Sequence, residues 1–179
     1  MRTVTDTCRV CGQTIVAGEG AALVDSQVMH FFCYAADGGG QPHTPASPIS
    51  RDMLMGIHVL VVEDSPTIGE MLRAALEYCG AFVTLAASVA EGKTIIREIR
   101  PRVVVSDISM PNNGFELVRD VLAFAVETGY KIPALAITAA RDSREHAKEA
   151  GFAAFVAKPL DPFVLALVVK LLAKGPPIP

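Results

Sequence analysis

Residues 57–80 read IHVLVVEDSPTIGEMLRAALEYCG. The stretch opens on a short apolar run rich in β-branched residues, Ile57–Glu63, which predicts a strand. Two carboxylates, Glu63 and Asp64, end the run. From Pro66 to Cys79 the apolar residues Ile68, Met71, Leu72, Ala75 and Leu76 recur at helical spacing, and Gly80 stands as the stop. Cys79, beside that stop, reads as a small packing residue. The unit is a buried strand, a pair of acids, and a helix.

Strand and helix go on alternating toward the C-terminus, without an internal repeat. Ala81–Leu85 predicts a second strand, and Ser88 caps a helix ending near Arg100 before Pro101. Val103–Ser106 predicts a third strand and Gly114–Thr128 a third helix. Ile132–Ile137 and Ala153–Ala157 predict the fourth and fifth strands, separated by a short charged helix over Asp142–Ala150. Asp161 caps a last helix to about Lys174. Strands that are apolar without alternation are covered on both faces. Strict strand–helix alternation then predicts a doubly wound α/β fold with a parallel sheet.

Four of the five predicted strands deliver a polar group at their carboxyl ends: Glu63-Asp64, Asp107, Thr138 and Lys158. Ligands of open parallel sheets bind outside those ends. Crowded carboxylates repel one another, and a hard cation such as Mg²⁺ relieves that repulsion. A lysine and a threonine hydroxyl nearby stabilise an anion, for which a phosphoryl group fits best. A carboxylate so placed can act as nucleophile and form an aspartyl-phosphate.

On these residues, 57–174 resemble a response-regulator receiver domain, the phospho-acceptor module of two-component signalling. Glu63-Asp64 match the acidic pair, Asp107-Ile-Ser-Met-Pro111 the phospho-acceptor motif, Thr138 the switch hydroxyl and Lys158-Pro159 the terminal dipeptide. The separations of 43, 31 and 20 residues from Asp64 to Lys158 suit that fold. The resemblance implies a flavodoxin-like five-stranded sheet of order 2-1-3-4-5. It implies that Asp107 is phosphorylated from a histidine kinase or phosphotransfer protein. Mg²⁺ would be held by Glu63, Asp64, Asp107 and the backbone carbonyl of Ser109. Lys158 would contact the phosphoryl group, and Thr138 and Phe155 would move on phosphorylation. Phe155 stands where the family often has Tyr, so its movement would act by packing alone.

The alternative is a metal-dependent aspartyl-phosphate phosphatase or hydrolase on a similar sheet. Such enzymes commonly place a second Asp two residues after the nucleophile, where this chain has Ser109. The favoured expectation is therefore a signalling protein and not an enzyme, one that promotes only its own phosphorylation and dephosphorylation. Its output would pass by contact with a downstream protein.

Three of four cysteines lie in the first 33 residues. Cys8-x₂-Cys11 and His30-x₂-Cys33 have zinc-ligand spacing, and four protein ligands make a closed structural Zn²⁺ site. The pattern resembles half of a LIM domain, or a treble-clef finger. A segment this short has little core, so metal would supply its folding energy. Three Gly and three Pro in Asp37–Ser50 mark a linker. The expected organisation is a zinc module over 1–36, a linker over 37–52 and a receiver over 53–179.

Net charge is −3, and residues 1–50 carry two Arg, no Lys and four acids, which disfavours nucleic acid as a partner. With neither a membrane-span-length apolar run nor a secretory signal, a cytoplasmic protein with no membrane partner is expected. In the last helix, Val164, Leu165, Val168, Val169 and Leu172 suit the sheet. Phe163 and Leu167 share the opposite side with Lys170 and Lys174. That apolar outer side is expected to form a homodimer through the last helix, or else to lie under the zinc module.

Overall fold

The computed structural model describes residues 51–110, 114–138, 143–158 and 160–174, together with 7, 12–13, 21–24 and 27–30 nearer the N-terminus. Cys8, Cys11 and Cys33 lie outside the described residues, as does the side chain of His30, and so does the zinc site assigned to them. The same holds for Pro159 and the side chain of Phe163.

The N-terminal region contains an antiparallel pair, β1 (Ala21–Val24) and β2 (Gln27–His30), in register from Ala21↔His30 to Val24↔Gln27. The sequence reading had placed no strand there.

From residue 58 the elements alternate as expected. They run β3 (His58–Val62), α1 (Pro66–Tyr78), β4 (Phe82–Ala86), α2 (Val89–Ile99), β5 (Val103–Asp107), α3 (Gly114–Thr128), β6 (Ala134–Thr138), α4 (Ser143–Ala150), β7 (Ala154–Ala157) and α5 (Pro162–Ala173). All neighbours in the five-stranded sheet are parallel, in the order β4-β3-β5-β6-β7. Counted within the sheet this is 2-1-3-4-5. Every residue of β5 and β6 is buried, which explains their unbroken apolar pattern. The order reverses at β3, so β3 and β5 part there and leave the crevice that such sheets use.

Local chemistry sets the boundaries. The Ser88 hydroxyl accepts from the Glu91 N–H at 3.2 Å and starts α2, while Glu91 Oε2 accepts from the Ala87 N–H at 2.8 Å. Gly92 seats α2 on the sheet. A Cβ there would stand 3.1 Å from Val62 Cγ2 and 3.3 Å from Leu117 Cδ1. Gly80 ends α1 at φ 92°, and a Cβ there would meet the Arg51 carbonyl at 2.8 Å. That close approach belongs to a clasp. Residues 51–56 turn beneath α1, the Leu54 N–H donates to the Cys79 carbonyl at 2.7 Å, and Leu54 is fully buried. Cys79 is buried too, as a packing residue should be.

The last helix faces the core differently from the expected stripe. Leu165, Ala166, Val168, Val169 and Ala173 are buried, whereas Val164 and Leu172 are half-buried. Small residues let a helix approach closely, so the two alanines turn inward. Arg102 pins the end, with Nε and Nη2 donating to the Ala173 carbonyl at 3.0 and 2.8 Å. Leu167 is half-buried, not fully outward.

Candidate functional site

The carboxyl ends of β3, β5, β6 and β7 gather the expected residues. Glu63 follows β3, Asp107 ends β5, Thr138 ends β6, and Lys158 follows β7. Glu63, Asp107 and Thr138 are only 5%, 4% and 2% exposed, while Asp64 and Ser109 face solvent. Phe155 is buried within β7.

Lys158 organises the cluster. Its Nζ donates to Asp107 Oδ2 at 2.5 Å and lies 3.7 Å from Glu63 Oε2. The other Asp107 oxygen, Oδ1, accepts from the Ser109 N–H at 2.8 Å. The Lys158 backbone N–H donates to the Thr138 carbonyl at 2.8 Å, tying the two strand ends together. Burial pushes the Lys158 ammonium toward a lower pKa. The hydrogen bond that it donates to Asp107 and the charges of Asp107, Glu63 and Asp64 outweigh it, so the group stands above the ordinary lysine value.

Glu63 is the strained partner. Burial raises its pKa, and the Ser65 N–H, which donates to Oε1 at 3.2 Å, and the charge of Lys158 only partly oppose that rise. Glu63 Oε2 is buried with no hydrogen-bond partner. As the side chains stand, no three His, Cys, Asp or Glu among the described residues are gathered tightly enough to hold a metal. The ammonium stands between the two buried carboxylates. The donor set nonetheless fits a hard cation: all-oxygen, carboxylate-rich, and including one buried oxygen without a partner.

Ser106 was missed by the sequence reading. Its hydroxyl is fully buried beside Asp107, and Oγ has no hydrogen-bond partner. The signal was a lone polar residue in the run VVVSD. A cavity of about 580 Å³ lined by Leu122, Val126, Pro133 and Leu172 lies at the opposite, amino end of the strands, and it brings no group to this chemistry. No helix among the described residues is long and apolar enough to cross a membrane.

The comparisons agree with this geometry. The family model for the response regulator receiver domain matches residues 59–170. An uncharacterized 14.6 kDa protein of Leptolyngbya boryana is 36% identical over 120 residues, covering 65% of this chain and 90% of its own length. Response regulator Rre1 of Synechocystis is 32% identical over 121 residues, and the match spans 66% of this chain and 52% of that protein. The chemotaxis response regulator CheY4 of Vibrio cholerae superposes with a TM-score of 0.58 at 28% identity, covering 65% of this chain and 98% of its own. The chain belongs to the response regulator receiver domain family of two-component signalling.

Proposed function

We propose that Asp107 accepts a phosphoryl group from a histidine kinase or phosphotransfer protein and that the signal leaves by contact with a downstream protein. The observation that carries this reading is the buried Asp107–Lys158 pair at the sheet's switch point. Both Asp107 oxygens are engaged, one by Ser109 and one by Lys158. For transfer, an Asp107 oxygen attacks phosphorus, the N–P bond of the donor phosphohistidine breaks, and its electron pair stays on the imidazole nitrogen. Lys158 then passes from the Asp107 carboxylate to the arriving phosphoryl oxygens. Thr138 supplies a hydroxyl to the same group, and Phe155 repacks as Thr138 moves.

Glu63, Asp64, Asp107 and the Ser109 carbonyl would hold Mg²⁺. When bound, the ion neutralises charge on the phosphoryl oxygens. Cys8, Cys11, His30 and Cys33 would hold a structural Zn²⁺, with no enzymatic role.

Incubation with a small phosphodonor and Mg²⁺, read by intact mass, tests the acceptor. A gain of about 80 Da that disappears in Asp107→Asn supports it. An equal gain in that variant refutes it.

A further inference from the structure

The sheet has two edges, and they are finished differently. At the β4 edge Phe82 is 66% exposed and the next three residues are half-covered. At the β7 edge Ala154, Phe155 and Val156 are all buried. In the sheet, β7 pairs only with β6. The Lys158 N–H, just past the strand, donates to the Thr138 carbonyl at 2.8 Å, on the β6 side and in step with the register Thr138↔Ala157. Peptide groups alternate sides along a strand, so the amides of Ala154 and Val156 point toward β6 and those of Phe155 and Ala157 point away from it. Outward-facing edge groups of this kind are usually covered.

What lies against this edge is the chain itself. β1 approaches β7 to within 8 Å between Cα atoms. The two strands belong to separate sheets, so the hairpin rests on β7 without extending its ladder. β7 also leads directly into Lys158, the residue bonded to Asp107. A change at the acceptor therefore reaches the strand under the hairpin through one covalent step.

We propose that the β1–β2 hairpin is a strap over the β7 edge, supplied in cis and not by a second copy, and that phosphoryl occupancy of Asp107 loosens it. The second half rests on the acceptor reading above. A partner that uses β7 must displace the strap, and by linkage displacement and phosphorylation favour each other.

Hydrogen exchange read by NMR on the full chain tests this. Proline removes a ladder donor, so Met29→Pro and, independently, Ala22→Pro should open the hairpin, because Ala22↔Met29 is a hydrogen-bonded pair counted from Val24↔Gln27 at the turn. The amides of Phe155 and Ala157 should then exchange about fivefold faster or more, while Ala154 and Val156, facing β6, are unchanged. Identical exchange in the natural chain and both variants overturns the strap. Protection that grows with protein concentration overturns it too, because a second copy would then be the cover. On phosphorylation, confirmed by the mass gain, Phe155 and Ala157 should approach the rates of Met29→Pro. A phosphorylated chain with unchanged rates refutes the linkage and leaves the acceptor standing. If no mass is gained the acceptor reading and the linkage fall together, while the proline variants still decide the strap.

Discussion

At the amino ends of the strands the polar groups are closed off in pairs. His58 Nε2 and Thr84 Oγ1 stand 2.8 Å apart across β3 and β4, and Arg102 spends two donors on one carbonyl of α5. At the carboxyl ends Glu63 Oε2 and Ser106 Oγ are buried with no hydrogen-bond partner, and one lysine serves two carboxylates. Buried polar groups are normally satisfied, so an unsatisfied pair concentrated at one end marks where the fold gives up stability. The amino end holds the sheet together, and on the proposed function the carboxyl end would be kept ready for a charge that arrives later.

The largest effect should separate the two ends. Lys158→Ala is expected to reduce the response to phosphorylation at least about tenfold, because it removes the ammonium bonded to Asp107 that would pass to the incoming group. The fold should remain. Arg102→Ala should do the reverse, lowering unfolding free energy by about 1.5–3 kcal/mol through its lost charged hydrogen bonds. Its phosphorylation should stay within about twofold. Urea titration and intact mass on both variants check this, and a swap of the two phenotypes breaks the comparison.

A second, smaller effect concerns Glu63. Its folded pKa is raised above the ordinary 4.5, so the stability it contributes is present below that value and lost as pH rises through the folded value. Glu63→Gln should therefore raise the urea midpoint at neutral pH without Mg²⁺. Adding Mg²⁺ should raise the midpoint of the natural chain more than that of the variant. If the ion stabilises both equally, Glu63 is not a ligand.

His58 gives the smallest effect and the opposite slope. Burial lowers its pKa from 6.5, so its contribution is present above that pH and is lost as pH falls toward the folded value. His58→Gln should flatten the acid side of the stability curve below about pH 6.5. An unchanged slope would mean that the amino end is not limited by this proton.

The sheet was legible because four of its strands, β3, β5, β6 and β7, are buried on both faces over nearly all their length and so read as plain apolar runs. The site was legible because its residues sit where those runs stop. Three features were not. In AALVDSQVMH, β1 and β2 are four-residue strands without clear alternation. Leu54 gave no sign of its burial, because its seat is made by the end of α1, remote in sequence. On α5 the apolar residues run all round, so periodicity could not show that Ala166 and Ala173 face inward while Val164 and Leu172 sit at the margin. Edge status was equally hidden. Phe82 belongs to a strand as apolar as its neighbours, yet stands exposed at the start of β4.

The clasp at residues 51–56 delivers the chain into β3, whereas the hairpin lies at β7, three strand spacings away, or about 14 Å. Residues 31–50 join the two. Twenty residues reach at most about 70 Å when fully extended. The tether is thus long enough to cross the sheet and short enough to keep a released hairpin nearby. Rebinding is unimolecular, at an effective concentration on the order of millimolar. A competitor of micromolar affinity present at micromolar concentration would be outcompeted by a well-docked hairpin, and it would gain access when docking weakens by only a few tens of fold. On the strap proposal, a modest push at Asp107 would then be sufficient to decide who occupies β7.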